Sequence, residues 1–374
     1  DDPLIRYCEP PISVWSDLVK TNQCHNRENE QRLGIPLNLL KKTLISNAWD
    51  YTRSCLETLP EKIDKDRNKL PGNILVMTGH QPVFPHMGIW EKTRRILQYV
   101  KGDPNAAGVN VIIDTGDGDA GRIKYPVREG HSLSVQSDSF SSRGLFFCQT
   151  IKSSQELDNL EKKLLKAVGD ILTPWQRDRV SSFFSWLIPL AGRDVLTAHV
   201  CVKHWLCPGL MVPDIPLSEL VNIPEIAQWI NRLIWKGKHL HASVNRTLHT
   251  YRTQHRITNG ANPFPNLKEE GACLELPLWA CHRKKSSKFP LYVEIKDKEV
   301  RVLADSKEIG TIIKNDQEKF VRKGLDGWRL VPRHALVSIL LRLCCSDVFV
   351  HGTGGAKYDR FTDQEISSFW NCTP

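Results

Sequence analysis

The 374-residue chain has 40% hydrophobic and 25% charged residues, which is typical of folded globular proteins and excludes the disordered and fibrous classes. Its formal net charge of +9 favours anionic partners, such as phosphates, nucleotides, nucleic acid or acidic lipids. No apolar run reaches the roughly 18 residues that a membrane span needs, so we expect no membrane partner.

The eleven cysteines are odd in number, and no CxxC pair occurs. Two of them, Cys344 and Cys345, lie in an apolar run, where thiols behave as small hydrophobes. The pattern predicts mostly free thiols in a reducing compartment. The first residues, DDPLIRYCEPP, lack the basic start and apolar centre of a secretory signal. We therefore expect a cytoplasmic protein.

Residues 1–70 are predicted to form an N-terminal helical segment. A short apolar strand at 74–77, a helix at 89–100 and a second strand at 109–113 follow. Strand, helix and strand at this spacing are typical of a parallel crossover. We assign residues 71–150 to the first part of an α/β core.

Residues 151–330 are predicted to be a large insertion between two parts of this core. Helical periodicity recurs at 153–172, 175–191, 193–206, 224–236 and 238–257. The alternating runs of 271–313 indicate an antiparallel meander. Residues 331–374 return to the core, with a buried helix at 332–347 and a strand, glycine loop and helix at 348–363. The predicted fold class is α/β: a Rossmann-like parallel-sheet core with a helical and β-meander insertion.

Polar residues and glycines follow the first core strand. They are Gly79, His80, Gln81, His86 and Gly88, with Lys92 one turn into the next helix. Histidines at a strand–helix junction can bind phosphate, move protons or ligate a metal. The alternative is a turn stiffened by Pro82 and Pro85, in which the histidines only satisfy backbone groups.

The other two core strands also lead into polar loops. The second loop crowds three carboxylates, Asp114, Asp117 and Asp119, which can hold Mg²⁺, ribose hydroxyls or a substrate amine. The third loop combines His351, Gly352, Gly354, Gly355, Lys357 and Asp359. Glycine N–H groups beside a lysine can cradle an anion. For both loops the alternative is an ordinary solvated turn.

Because ligands bind at the carboxyl ends of parallel strands, the three loops are predicted to form one site. The candidate catalytic residues are His80, His86, Asp117 and Asp119. The other loop residues, and Arg256 from a basic helix, are candidates for binding substrate or cofactor. The expected cofactor is a nucleotide of the ATP or ADP type with Mg²⁺, and no residue is assigned to a dedicated metal site.

Two further basic segments have competing interpretations. In the helix at 236–257, Arg246, His249, Arg252 and Arg256 fall near one stripe, which could meet an anionic substrate or simply be a solvated face. The run HRKKSSKF (282–289) is similar to a phosphate-gripping lysine–serine loop, but an ordinary polar turn explains it better.

The stretch MTGHQPVFPHMGIWEK resembles the TGQQ…GGP…K loop of the bacillithiol-biosynthesis cysteine-adding enzymes. By this resemblance, DTGDGD corresponds to that family's acidic loop and HGTGGAKYD to its glycine-rich C-terminal loop. Planctomycete-type bacterial proteins with TGHQ…HPG and HGxGGAKYD patterns are more similar still. The resemblance implies a Rossmann-like core with inserted segments and an enzyme that forms a C–N bond.

We therefore predict a small-molecule ligase or transferase that binds a nucleotide or another anionic substrate at the three loops. Two alternatives from other classes stay open. One is a nucleic-acid-binding protein that uses the basic helix, although no known nucleic-acid-binding module is visible. The other is a metal-dependent hydrolase that uses His80, His86 and the aspartates. A homodimer is a further hypothesis.

Overall fold

The structure is a computed structural model that describes residues 8–57, 73–83, 87–169, 171–206, 209, 212–315 and 319–373. The α-helices are α1 (Trp15–Leu33), α2 (Leu37–Leu56), α3 (Met87–Gly102), α4 (Ser154–Val168), α5 (Pro174–Leu187), α6 (Val195–Leu206), α7 (Leu217–Leu220), α8 (Pro224–Trp235), α9 (Gly237–Gln254), α10 (Ala335–Ile339) and α11 (Thr353–Glu365). Two π-helical segments, Leu340–Cys345 and Ile366–Trp370, extend α10 and α11.

The β-strands are β1 (Ile74–His80), β2 (Ala106–Ile112), β3 (Asp117–Gly118), β4 (Arg122–Glu129), β5 (Ser132–Ser139), β6 (Gly144–Leu145), β7 (Asp214–Pro216), β8 (Glu269–Glu270), β9 (Cys273–His282), β10 (Ser287–Ile295), β11 (Glu299–Ala304), β12 (Lys307–Lys314), β13 (Phe320–Lys323), β14 (Trp328–Pro332) and β15 (Val348–Val350). Most of them belong to one of two main sheets, one parallel and one antiparallel.

The parallel sheet has four strands in the order β15–β1–β2–β7. Strand β1 is internal, and its Thr78 pairs with Val350 on one side and with Asn110 on the other. Residues 75–77 are fully buried because helices or other strands cover both faces of the sheet. This explains why the strand reads as a continuous apolar run rather than as an alternating one.

Two helices cover one face of the parallel sheet: Trp15 of α1 and Ile96 of α3 pack with Val76. On the other face, one core cluster joins Met77 of β1 to Leu276 of β9 in the antiparallel sheet. The inserted meander therefore shares its hydrophobic core with the parallel sheet. The predicted α/β class is confirmed.

The antiparallel sheet runs β13–β12–β11–β10–β9–β14, and the short β8 pairs with β9. Strands β9 to β12 of this sheet correspond to the meander predicted at 271–313. Among the described residues, no helix has both the length and the apolar character that a membrane crossing requires. The cysteines among the described residues carry free thiols, as the sequence predicted.

Candidate functional site

The carboxyl ends of β15, β1 and β2 lie side by side at one edge of the parallel sheet. Thr78 Oγ1 of β1 donates a hydrogen bond of 2.8 Å to the Val350 carbonyl of β15. On the other side, the Ile113 N–H donates to the His80 carbonyl at 2.8 Å. The chain leaves β1 towards β2 but returns to the opposite side with β15. Such a reversal of strand order is where open α/β sheets bind ligands.

Lys92 of α3 places a buried ammonium group at this edge. The residue is 8% exposed, and its Nζ donates to the Gly79 carbonyl oxygen at 2.8 Å. Burial lowers the pKa of the Lys92 ammonium to about 8. A lysine has three N–H donors, so two remain for a ligand.

His351 follows β15 directly and lies beside the same edge. Its ring contacts the ring of Phe349 at a centroid distance of 4.6 Å. Burial, followed by the nearby charges of Arg342 and Lys92, lowers the pKa of His351 to about 4. The imidazole is therefore neutral near pH 7, and its Nε2 lies 3.3 Å from Asp359 Oδ1.

The predicted third glycine loop is mostly helical, because α11 begins at Thr353, directly after Gly352. Gly355 lies in the first turn, where a Cβ would approach His351 Nδ1 to 2.6 Å. This glycine is therefore required by close packing rather than by a turn. Gly354 is exposed, and a Cβ there would meet nothing within 4 Å. The side chain of Lys357 lies outside the described residues.

A cavity of about 580 Å³ opens beside β15 and reaches this group of residues. Its walls include Lys92, His351, Gly352 and Asp359. Among the described residues, no side chain caps the N-terminus of α11. The Gly355 N–H donates to the Gly352 carbonyl oxygen at 3.0 Å, so the N–H groups before it are the ones available to an anion. The volume lies within the range of small-molecule sites.

A buried ion pair holds β15 next to β1. Lys41 Nζ of α2 lies 2.5 Å from Asp347 Oδ1, and both side chains are almost completely buried. The second carboxylate oxygen of Asp347 accepts a hydrogen bond of 2.8 Å from the Leu75 N–H. The position of His351 therefore depends on a contact with α2, which is distant in the chain.

His80 and Gln81 of the first loop do not line the 580 Å³ cavity. His80 Nδ1 lies 2.9 Å from the Gln81 carbonyl oxygen. Both residues line a smaller cavity of about 60 Å³, which His199 and Asp214 also line. Gly88 is exposed at the start of α3. His86 lies outside the described residues, so its predicted role stays a prediction.

The three aspartates of the second loop have separate partners. Asp114 is fully buried and accepts hydrogen bonds from the N–H and Oγ of Ser218, at 3.0 and 2.5 Å. Burial raises the pKa of Asp114 to about 6. Asp117 Oδ2 lies 2.7 Å from Lys288 Nζ.

Asp119 accepts a hydrogen bond of 2.5 Å from Ser139 Oγ. In the part of the chain that the structure describes, no group of three or more His, Cys, Asp or Glu residues could hold a metal ion. The hydrolase hypothesis requires His86, which that part does not include, and stays a prediction. Arg256 is exposed beyond the end of α9 and does not line the large cavity.

Two basic residues beside the predicted loops were not among the predicted site residues. Lys288, from the HRKKSSKF run, also donates to the Thr115 carbonyl oxygen at 3.0 Å and lies 5.0 Å above the Trp279 ring. Arg342 lines the large cavity and pairs with Asp359 at 3.3 Å. The available signal for Arg342 was its position in the apolar run of 335–350, where Asp347 is the other charged residue.

Comparison with models of known protein families gives no match for this chain. The search of curated proteins gives no significant match either.

Proposed function

We propose that the 580 Å³ cavity beside β15 binds an anionic small molecule, a nucleotide or another phosphorylated or carboxylated substrate. The observation that carries this proposal is the position of Lys92, a buried ammonium whose only hydrogen bond within the described residues is to the Gly79 carbonyl. The uncapped N-terminus of α11 adds N–H donors on the same cavity. An anion would supply the countercharge that Lys92 lacks.

The proposed reaction is C–N bond formation by a ligase or transferase, as the resemblance to the cysteine-adding enzymes implies. The proposal includes a Rossmann-like core, which the four parallel strands and the strand-order reversal at β1 support. It also places the protein in the cytoplasm, which the free thiols of the described cysteines support.

The cavity provides groups for both parts of such a reaction. An amine that attacks an electrophilic carbon must lose a proton, and neutral His351 can accept it. A bound anion would offset the charges of Arg342 and Lys92 and so raise the pKa of His351 towards its ordinary value. Lys92 would stabilise negative charge that develops on the substrate.

The residues of the 580 Å³ cavity favour binding of nucleotide phosphates. The second loop, in contrast, does not offer its three aspartates to a metal ion. Asp114, Asp117 and Asp119 are each engaged by Ser218, Lys288 or Ser139. Mg²⁺ usually keeps several waters and needs only one or two protein carboxylates beside substrate phosphates. Asp359 is one of the described carboxylates that line the cavity, and it could bind such an ion together with the substrate phosphates.

Thermal unfolding with ATP, ADP and AMP, each with and without Mg²⁺, tests the proposal. A ligand at 100 times its Kd stabilises the folded protein by about 2.7 kcal/mol, which raises the Tm of a chain this size by about 3–4 °C. Lys92→Met should lose this increase, and Lys42→Met, an exposed lysine on α2, should keep it. Absence of any increase in the unmodified protein, or an increase that Lys92→Met retains, would contradict the proposed site.

A further inference from the structure

Two adjoining cavities form a groove on a different part of the surface. Their volumes are about 650 and 160 Å³, and both are lined by Lys236 and Phe369. The groove lies between α8, α9 and the π-helical segment Ile366–Trp370. This segment follows the C-terminal end of α11, and its first residue, Ile366, lines the 580 Å³ cavity, whereas Ser368, Phe369 and Trp370 line the groove. Among the described residues, none lines both this groove and the 580 Å³ cavity.

The groove is strongly basic. The basic residues that line it are Arg32, Arg232, Lys236, His239 and Arg246, and no aspartate or glutamate of the described chain lines it. Lys236 and Arg246 are exposed, and neither forms an ion pair with a carboxylate of the described residues. Both side chains are therefore accessible to an anion.

One carboxyl group lies beneath the groove and has to be weighed against these charges. Glu365 is 1% exposed and lies near Ser243, Thr247 and Arg246. Burial raises its pKa. The charge of Arg246 acts in the opposite direction and lowers this pKa, so Glu365 offsets part of the charge of Arg246.

Aromatic rings stand among the basic side chains. Phe369 and Trp235 are half-buried, and both line the larger cavity. The Phe369 ring packs on Trp370 at 4.5 Å, and Trp370 stacks on Trp229 at 6.1 Å and 18°. These contacts fix the orientation of Phe369 from behind while the side facing the groove stays accessible.

We propose that this groove binds a short single-stranded nucleic acid. Lys236 and Arg246 contact backbone phosphates, and unpaired bases stack on Phe369 and Trp235. Paired bases in a duplex would not reach these rings. A strand fits better than one nucleotide because the groove continues from Arg246 in the larger cavity to Arg32 in the smaller one.

Fluorescence anisotropy of a labelled 12-nucleotide oligouridylate tests the proposal at 50 and 200 mM NaCl. Two phosphate contacts give a logarithmic salt slope of about −1.4, so the affinity should fall about sevenfold between these concentrations. The double variant Lys236→Gln/Arg246→Gln should make this slope less negative by about 1.4. The matched control, Lys298→Gln/Lys307→Gln, removes two exposed positive charges from the antiparallel sheet and should leave the slope unchanged.

Phe369→Leu separates stacking from charge. It should weaken binding by about tenfold at both salt concentrations without changing the slope. The melting temperature of each variant shows whether it is folded. Lys92→Met should bind the oligonucleotide like the unmodified protein, because Lys92 belongs to the other site.

Several results would overturn the proposal. These are no binding at 50 mM NaCl, equal loss in the control variant, and competition by a duplex or by polyglutamate as strong as by the unlabelled strand. Equally strong competition by AMP would show a mononucleotide site instead. Lys92→Met shows whether the oligonucleotide or AMP uses the 580 Å³ cavity, so failure here is distinguishable from failure of the proposed function.

Discussion

Replacing Lys92 by methionine removes a buried ammonium group but keeps an unbranched side chain of similar length. Burial lowers the pKa of Lys92 from 10.5 to about 8. Folding at pH 7 therefore carries a cost of about 3 kcal/mol, at about 1.4 kcal/mol for each tenfold change in an equilibrium constant. Loss of the hydrogen bond to the Gly79 carbonyl removes about 1.5 kcal/mol of stabilisation. We expect Lys92→Met to be more stable at pH 7 by about 1–2 kcal/mol.

The pH dependence gives this prediction a second signature. The unfolded chain keeps the Lys92 proton up to pH 10.5, whereas the folded chain releases it near pH 8. Between these values the unfolded state binds more protons, so the free energy of unfolding of the unmodified protein rises with pH. The advantage of Lys92→Met should therefore be constant below about pH 8 and shrink as the pH rises towards 10.5.

Urea unfolding followed by tryptophan fluorescence at pH 7 and pH 10 measures both effects. Lys42→Met is the control, because Lys42 is an exposed lysine on a helix and its replacement should change stability by less than about 0.5 kcal/mol. A Lys92→Met protein less stable than the unmodified one at pH 7 would show that the ammonium is a structural contact. The assignment of Lys92 to a binding site would then lose its physical basis.

Asp347→Asn leaves Lys41 as a buried charge without a counterion and should lower the free energy of unfolding by about 3–5 kcal/mol, as urea unfolding would show. Gly355→Ala should destabilise the protein by about 1–3 kcal/mol, because its Cβ would displace the His351 ring. Gly354→Ala meets no neighbour, so the same assay should show a gain of up to about 1 kcal/mol. The pKa of His351 is lowered from 6.5 to about 4, so the unfolded chain binds more protons between these values and stability falls as the pH drops from 6.5. Glutamine does not titrate in this range. The free energy of unfolding of His351→Gln should therefore fall by about 2–3 kcal/mol less than that of the unmodified protein between pH 7 and pH 4.5.

The sequence predicted strands β1, β2 and β15 of the parallel sheet, because each contains an apolar run. Strand β7 was not predicted, because its three residues, Asp214–Pro216, have neither periodicity nor an apolar run. Its place depends on side chains from elsewhere. Asn110 Nδ2 donates to Asp214 Oδ1 at 2.7 Å, and Lys203 Nζ lies 2.5 Å from Asp214 Oδ2. Contacts of this kind are tertiary, and local propensity contains no information about them.

The candidate site was predictable in outline but not in the direction of its side chains. Three strand-end loops were expected at one sheet edge, and the strands β15, β1 and β2 do lie together. The predicted acidic cluster depended on Asp114 and Asp117 facing the same way. Ser218 and Lys288, which engage them, are 104 and 171 residues away in the chain. The short spacing of the aspartates could not reveal these partners.

The two buried lysines beside the parallel sheet illustrate how a structural charge differs from a functional one. Lys41 has a carboxylate, that of Asp347, at 2.5 Å, and both charges are neutralised inside the protein. Within the described residues, Lys92 has only the Gly79 carbonyl, whose partial charge does not balance an ammonium. Desolvation therefore lowers its pKa, a perturbation that is common at functional sites. An anion in the adjoining cavity would give Lys92 a countercharge, as Asp347 does for Lys41. Its binding would recover part of the desolvation cost of Lys92.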